Sequence, residues 1–120
     1  MMNSEEKLLQ QLKTAPDSIK FNDVISTIEA NYKYAPTAFT NGAGDDSVTN
    51  NAGDNEGSCK IFAFAKLHSL TEEQTLHCFG RYYREDVLNH PENNDHTNIR
   101  LFIKYGWQHI LFEDEALKVK

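Results

Sequence analysis

Apolar residues recur at the spacing of an α-helix in two stretches near the start of the chain. In the first stretch, Leu8, Leu9 and Leu12 share one helical face. Asn3 is expected to cap this helix, because Glu6 follows three residues later at the capping-box spacing, and Pro16 is expected to end it. Asn22 is the expected cap of the second helix. Its apolar stripe consists of Phe21, Val24, Ile25, Ile28 and Tyr32.

The pattern then changes from helical to extended and loop-like. Pro36 is incompatible with a helix interior, so Tyr34–Thr40 is predicted to form an edge strand or an irregular extended segment. Residues 41–57 contain four glycines, four asparagines, three aspartates and one glutamate, with no Lys or Arg. We expect a long acidic loop here, and loops of this length in a compact domain are usually functional or mobile.

A more continuous apolar pattern follows the loop. Gly57 and Ser58 are expected to open a helix from Cys59 to about Ser69, with Ser58 as its cap. Apolar residues cover most of the circumference of this helix, which predicts a central, buried position. Thr71 and Gln74 have the capping-box spacing and predict another helix, with Leu76, Phe79 and Tyr83 on its apolar face. Gly80 predicts a bend, after which a second helical part runs to Asn89 before Pro91.

The last helix and a short strand complete the predicted fold. Asp95 is the expected cap of a helix that carries Ile99, Phe102 and Ile103, and Gly106 occupies a C-terminal cap position. Residues Trp107–Phe112 alternate as a strand does, and the Tyr34–Thr40 segment is the expected partner. The sequence therefore predicts an α+β fold. We expect a mainly helical single domain over residues 1–120, with about five helices and a small two-stranded antiparallel sheet.

Composition and charge restrict the classes of partner. A chain of 120 residues with 39% hydrophobic residues can fill one core, and two cores would each be too small. A net charge of −6 argues against general nucleic-acid binding, which rewards clustered Lys and Arg. The longest apolar run, residues 61–65, is far shorter than the roughly 20 residues of a membrane span. The two cysteines favour reduced thiols in the cytoplasm over a disulfide scaffold.

Cys59 is the first candidate for chemistry. A thiol near a helix N-terminus can have a lowered pKa, and cysteine hydrolases combine such a thiol with a histidine and an orienting carboxylate. Asp95 and His96 are the expected pair, with His68, His77 and His90 as rivals. The alternative is that Cys59 is a small apolar residue in the first turn of a buried helix, which is what free cysteines usually are. We favour this packing role over a cysteine-dependent hydrolase or transferase, and an enzymatic function is not expected.

A binding site is the second candidate. Asn98 and Arg100 follow Asp95 closely enough to line a pocket with it, although an ordinary helix start explains the same residues. Arg84 and Trp107, with Tyr82, Tyr83 and Phe112, are residue types that anchor protein interfaces. The alternative is that Tyr83 and Trp107 are core residues and that Arg84 pairs with Glu85 or Asp86. We therefore expect a non-enzymatic interaction protein with an unidentified protein partner.

The acidic loop is the third candidate. Asp45, Asp46, Asp54 and Glu56 supply oxygen atoms that suit a hard cation. The twelve-residue order of calcium ligands in an EF-hand is not met, and the histidines and cysteines have no metal-binding spacing. We expect a solvated loop, with no metal and no cofactor.

Several segments resemble the HopJ type III effector family. The most distinctive one is Asn55–Ala65, which includes Glu56, Ser58 and Cys59. The remaining segments are Pro36–Gly42, Tyr82–Leu88, His90-Pro91, Asp95-His96, Asn98–Arg100 and Gly106-Trp107. Together they cover roughly residues 8 to 113 in the family's order.

The resemblance implies a substrate of type III secretion but no enzymatic reaction and no set of ligands. Type III substrates usually begin with a polar, serine-rich leader, whereas the first helix here is predicted to begin near residue 4. Only Met1–Asn3 precedes it, and the opening residues lack the basic and apolar regions of a Sec-type signal peptide. We therefore expect a cytoplasmic protein of the producing bacterium. Secretion into a host cell is the alternative that the family implies.

Overall fold

Five α-helices, together with shorter 3-10 and π-helical segments, form just over half of the computed structural model, which describes residues 3–120. They are α1 (Ser4–Thr14), α2 (Phe21–Asn31), α3 (Glu56–Leu67), α4 (Glu72–His77) and α5 (Thr97–Tyr105). Short 3-10 turns occur at Pro16–Ser18, Gly44–Asp46 and Gly106–His109, and a π-helical segment spans Tyr82–Val87. Met1 and Met2, part of the short leader and of the domain expected from the sequence, lie outside the described residues.

Five short strands form two antiparallel sheets. The strands are β1 (Tyr32–Tyr34), β2 (Phe39–Asn41), β3 (Val48–Asn50), β4 (Leu111–Phe112) and β5 (Leu117–Val119). Strand β2 lies between β3 and β4, so that Phe39 faces Asn50 on one side and Phe112 on the other. Strands β1 and β5 form the second sheet. The α+β class and the β2–β4 pairing are confirmed, and the structure adds β1, β3 and β5.

Two segments differ from their predicted conformation. Tyr32 was expected to end the stripe of α2, but it begins β1 and pairs with Val119. Residues Gly106–His109 form a 3-10 turn, so only Leu111–Phe112 remains of the strand predicted over Trp107–Phe112. Both differences arise from partners that are distant in sequence, which periodicity along the chain does not reveal.

Three of the predicted helix ends are confirmed. The side chain of Asn3 accepts a hydrogen bond from the backbone N–H of Glu6 at 2.8 Å. Thr71 and Gln74 form both hydrogen bonds of a capping box. Gly106 ends α5 with a φ of 68°, a conformation that glycine adopts without strain. A Cβ at this position would also collide with a carboxylate oxygen of Glu72.

Three other predicted caps are wrong. Helix α2 begins one residue before Asn22, and Lys20 at its start makes no side-chain cap. Helix α3 begins at Glu56, so Ser58 lies inside its first turn and Asn55 is the N-cap residue. Helix α5 begins after His96, so Asp95 lies outside it. Asn55 and His96 have left-handed backbone conformations, with φ values of 51° and 50°.

Less of the acidic segment 41–57 forms a loop than its composition suggested. Strand β3 pairs with β2 and turns the first half of the segment into a β-hairpin. At its tip, the carboxylate of Asp46 accepts hydrogen bonds from Lys104 Nζ, at 3.1 Å, and from the hydroxyl of Tyr105. The hairpin is therefore fastened to the C-terminal end of α5.

Helix α3 is the centre of the core, as its apolar pattern predicted. Ile61, Phe62, Phe64 and Ala65 have no measurable exposure. The ring of Phe62 packs against four aromatic rings, from β2, α5 and the segments that follow α4 and α5, at centroid distances of 5.0 to 6.2 Å. Burial of a phenylalanine stabilises a fold by about 1.5–3 kcal/mol. This cluster therefore fixes where the first turn of α3 lies.

Gly80 forms the predicted bend between α4 and the π-helical segment. Its φ is 60°, and a Cβ here would lie 2.7 Å from the backbone nitrogen of Phe21. Only glycine allows this approach without strain. The bend brings Tyr82 into contact with Phe21, at a centroid distance of 5.0 Å.

Within residues 3–120, no helix has the length and apolarity needed to cross a bilayer.

Candidate functional site

A cleft of about 550 Å³ lies where the first turns of α3 and α5 meet strand β3. Phe21, Phe79 and Tyr82 form much of its apolar wall. Its polar wall comprises Asn50, Asn55, Ser58, His96, Thr97 and Asn98. Among the described residues, no Asp, Glu, Lys or Arg lines the cleft, although a quarter of the chain is charged.

Asparagine side chains from three parts of the chain form a hydrogen-bonded network beside the cleft. Asn98 Nδ2 donates to Asn50 Oδ1 at 2.9 Å, and Asn50 Nδ2 donates back to Asn98 Oδ1 at 3.2 Å. Asn41 Nδ2 also donates to Asn98 Oδ1, at 3.0 Å. Asn55 Nδ2 donates to Asn50 Oδ1 at 2.7 Å. Because these bonds are mostly buried, the network joins the hairpin to the starts of α3 and α5 at defined positions.

Asn41 contains the one buried side-chain polar atom without a partner among the described residues, Oδ1. The residue is fully buried, and its Nδ2 donates to both the backbone oxygen and the side-chain oxygen of Asn98. Rotating the amide by half a turn would place Oδ1 against these two oxygens, so the observed orientation is the favourable one. Asn41 therefore positions Asn98 through both hydrogen bonds of its Nδ2.

His96 is held in the cleft wall by an acidic residue that sequence reasoning missed. Its Nε2 lies 3.0 Å from Asp86 Oδ2 and 3.9 Å from Asp95 Oδ2. The imidazole also packs against the ring of Tyr82, at a centroid distance of 5.2 Å. Asp86 lies on the π-helical segment, so its approach to His96 depends on the bend at Gly80. No local pattern marks this pair.

Asp95 pairs mainly with Arg100. Arg100 Nη2 donates to Asp95 Oδ1 at 2.6 Å, and its Nε donates to the backbone oxygen of Asp95. The hydrogen bond from Arg100 lowers the pKa of the Asp95 carboxyl group. Neither residue lines the cleft. Asp95 and Arg100 were expected to line a pocket with Asn98. Instead, their hydrogen bonds to each other hold the loop that precedes α5.

Cys59 lies outside the cleft lining and is 1% exposed. Its Sγ is 3.9 Å from the backbone oxygen of Thr37. Burial raises the pKa of the Cys59 thiol, so the lowered pKa expected from the helix N-terminus is wrong. Within residues 3–120, no histidine forms a hydrogen bond with this thiol, and His96 is bonded elsewhere. The structure therefore does not bring Cys59, His96 and Asp95 together as an interacting set.

Of the remaining candidate residues, three lie at or beside the cleft and two are held by contacts elsewhere in the fold. Ser58 and Asn98 line the cleft, and Glu56 is exposed at the start of α3 beside it. Arg84 donates hydrogen bonds to the backbone oxygens of Ile19 and Pro16, so its expected pairing with Glu85 or Asp86 is wrong. Trp107 packs against the aromatic core, and its Nε1 donates to the backbone oxygen of Leu70 at 3.2 Å.

Two histidines outside the cleft contact side chains of other elements. His68 Nε2 lies 3.1 Å from the hydroxyl of Tyr32, and His77 Nδ1 lies 3.3 Å from a nitrogen of Arg84. Over the described part of the chain, no three His, Cys, Asp or Glu side chains form a group that could hold a metal ion. The acidic residues of the hairpin and loop are accordingly dispersed.

Comparisons with known proteins identify the family. No curated protein matches the sequence. A crystal structure described as that of "unknown function protein VPA0580" is 51% identical to this chain, and the similarity covers 100% of this chain and 97% of that one, with a TM-score of 0.93. A family model described as HopJ type III effector protein matches residues 5–117. The resemblance inferred from the sequence is therefore confirmed, and the chain belongs to the HopJ type III effector protein family.

Proposed function

We propose that this protein is a non-enzymatic binding protein and that a small, neutral, polar ligand occupies the cleft between α3, α5 and β3. The observation that carries the proposal is the uncharged lining of the cleft, fixed in place by the buried asparagine network. Binding sites commonly combine an apolar wall with a few positioned polar groups. The volume of about 550 Å³ lies in the range of small-molecule sites.

The lining favours a neutral ligand for a physical reason. Transfer of an ionised group from water into a cleft is unfavourable unless an opposite charge or several hydrogen bonds compensate it. His96, the one titratable histidine in the lining, already shares its Nε2 with Asp86. Amide and hydroxyl groups, as on Asn55 and Ser58, can both donate to and accept from an uncharged polar ligand. Phe21 and Tyr82 provide aromatic surface for a planar part of that ligand.

The arrangement favours binding over catalysis. Asn50 and Asn98 are occupied by hydrogen bonds to each other, so they shape the cleft and do not act as acids or bases. The thiol of Cys59 lies elsewhere and is protonated at neutral pH because burial raises its pKa. A cysteine-dependent hydrolase or transferase, the alternative that the sequence suggested, therefore has no supporting contact in the described residues.

Fragment binding detected by NMR tests the proposal. The probes are benzamide and nicotinamide, which are neutral and planar, together with the matched anion benzoate and the matched cation benzylamine. We expect the neutral amides to shift the backbone amide signals of Gly57, Ser58, Thr97 and Asn98, and the charged probes to shift them less. Hits that map to another surface, or equal responses to all four probes, would contradict the proposal.

A matched pair of variants separates cleft binding from nonspecific effects. Ser58→Leu places an apolar side chain at the cleft lining and is expected to abolish the shifts caused by nicotinamide. Ser26→Leu makes the same chemical change at an exposed position of α2 and is expected to leave them unchanged. Retention of binding in folded Ser58→Leu would show that the cleft is not the site.

The cellular location is a further part of the proposed function. We propose that the protein resides in the cytoplasm of the producing bacterium, since Cys59 and Cys78 are free, buried thiols. The family description supports export into a host cell as the competing possibility. A reporter enzyme fused to the full chain distinguishes them. Reporter activity inside host cells that depends on an intact type III secretion system would overturn the cytoplasmic assignment.

A further inference from the structure

Exposed leucines lie on a second surface, separate from the cleft. Leu67, near the end of α3, is 56% exposed, and Leu111 in β4 is 61% exposed. Two shallow depressions adjoin them, one of about 250 Å³ and one of about 440 Å³. Lys66 borders both depressions and lies over the ring of Phe112. We call the surface formed by Leu67, Leu111, Phe112 and the two depressions the leucine surface.

The walls of the depressions are mainly apolar and come from elements that the core holds in place. Ala63, Leu67, Phe112 and Leu117 line the smaller one. Leu70, Trp107, Ile110 and Leu111 line the larger one. Because α3 is anchored in the core and β4 is paired with β2, regular elements hold much of this shape, and the loop between β4 and β5 completes the smaller depression. Exposed apolar side chains grouped around depressions are one mark of a site that binds another protein.

An acidic edge indicates the chemistry of the partner. Glu113, Asp114 and Glu115 follow β4 directly and are exposed. Asp114 and Glu115 also line the smaller depression, and none of the three forms a salt bridge within residues 3–120. Among the described residues, Lys66 is the one basic residue that lines either depression. A basic partner would gain attraction at this edge, and the chain's net charge of −6 would strengthen it.

We propose that the leucine surface binds an amphipathic, basic helical segment of a partner protein. Apolar side chains of the segment would enter the two depressions, and its Lys or Arg side chains would face Glu113, Asp114 and Glu115. A helix suits this surface better than an added strand, because β4 has two residues and offers too short an edge for strand pairing. This partner site is independent of the ligand proposed for the cleft.

Fluorescence anisotropy with a model peptide tests the proposal. The probe is a labelled amphipathic helix of leucine and lysine, about 14 residues or four turns long. Two control peptides are a leucine–glutamate helix and a scrambled leucine–lysine sequence without an apolar face. We expect the full chain to bind the amphipathic leucine–lysine peptide at least about tenfold more tightly than either control, and more weakly as salt increases.

Variants of exposed residues assign the binding to the leucine surface. Leu67→Ser with Leu111→Ser is expected to weaken binding about tenfold or more. Leu88→Ser is the matched control, because Leu88 is 52% exposed and lines neither depression. Combined Glu113→Gln, Asp114→Asn and Glu115→Gln substitutions are expected to remove most of the salt dependence. Circular dichroism checks that each variant is folded.

Three outcomes would overturn the proposal. The first is equal loss of affinity in Leu88→Ser and in the double variant. The second is equal binding of the glutamate peptide. The third is a dimer of the wild-type protein, seen by sedimentation and broken by the Leu67 and Leu111 substitutions, since a second copy would then cover the surface. If the double variant unfolds, NMR on the wild-type protein replaces it. The peptide must then shift the backbone amide signals of residues 66–67 and 111–116, and shifts elsewhere would overturn the proposal.

Discussion

Asn98→Ala tests whether the asparagine network holds the cleft together. The substitution removes three side-chain hydrogen bonds, one from Asn41 and two exchanged with Asn50. At about 1 kcal/mol net for each bond, the expected loss of stability is about 3 kcal/mol. The loss should not be much greater, because every partner group keeps another bond. Asn50 Oδ1 retains Asn55, Asn50 Nδ2 retains the backbone oxygen of Phe39, and Asn41 Nδ2 retains the backbone oxygen of residue 98.

Urea denaturation followed by circular dichroism measures the free energy of unfolding of both proteins. The control is Asn94→Ala, at an exposed position before α5, which should change stability by no more than about 0.5 kcal/mol. The dependence of that free energy on urea should be the same in the wild type and both variants, since the exposed area on unfolding hardly changes. A loss below about 1 kcal/mol for Asn98→Ala would refute the reasoning, because buried amide bonds of this number cannot be so weak.

Three further predictions concern the backbone and the thiols. Gly80→Ala should destabilise the protein by roughly 3 kcal/mol, because the new Cβ would sit on a residue with positive φ and would also press against the backbone nitrogen of Phe21. The control is Gly53→Ala, where φ is also positive but the surrounding space is open, and it should cost roughly 1 kcal/mol in the same urea assay. Burial raises the pKa of Cys78 from 9.0 to about 12, so the thiol ionises first in the unfolded chain. The stability that the protonated Cys78 thiol contributes is fully present below about pH 9, and above that pH it falls by up to about 1.4 kcal/mol per pH unit. The free energy of unfolding of Cys78→Ser should therefore fall less steeply with rising pH than that of the wild type. Cys59, at 1% exposure, should react with iodoacetamide far more slowly in native than in urea-unfolded protein, as measured by mass spectrometry.

The helices were predictable because their signals are local. The apolar spacing in α1 and α2, the capping box of Thr71 and Gln74, and the glycine at 106 each involve residues within a few positions of one another. The buried position of α3 also followed from its own composition. Local signals specify where a helix lies in the chain, and they are less decisive about the residue at which it begins. For this reason Ser58 and Asp95 were predicted as N-cap residues, whereas Asn55 and His96 occupy those positions.

The sheets and the cleft were harder to predict because their partners are far apart in sequence. Strand β1 pairs with β5 through Tyr32 and Val119, and neither strand is longer than three residues. Asn50 and Asn98 meet across 48 positions of sequence. An asparagine in a glycine-rich segment resembles any loop residue until its partner is known. The β-branched pair Val48-Thr49 was the one usable signal, since such residues are enriched in strands and could have shown that Asn50 lies in one.

Three of the segments that gave the family resemblance meet at or beside the cleft. Residues 55–65 begin α3, residues 95–100 span the start of α5, and residues 36–42 include Asn41 at the end of β2. Two of these segments line the cleft, and the third supplies the side chain that fixes Asn98. Their shared features are left-handed residues before helices and paired amides, which define a shape without supplying a nucleophile. These segments therefore carry the shape of the cleft, and from the ligand proposed for it we predict that relatives with the same segments also bind a ligand at this position.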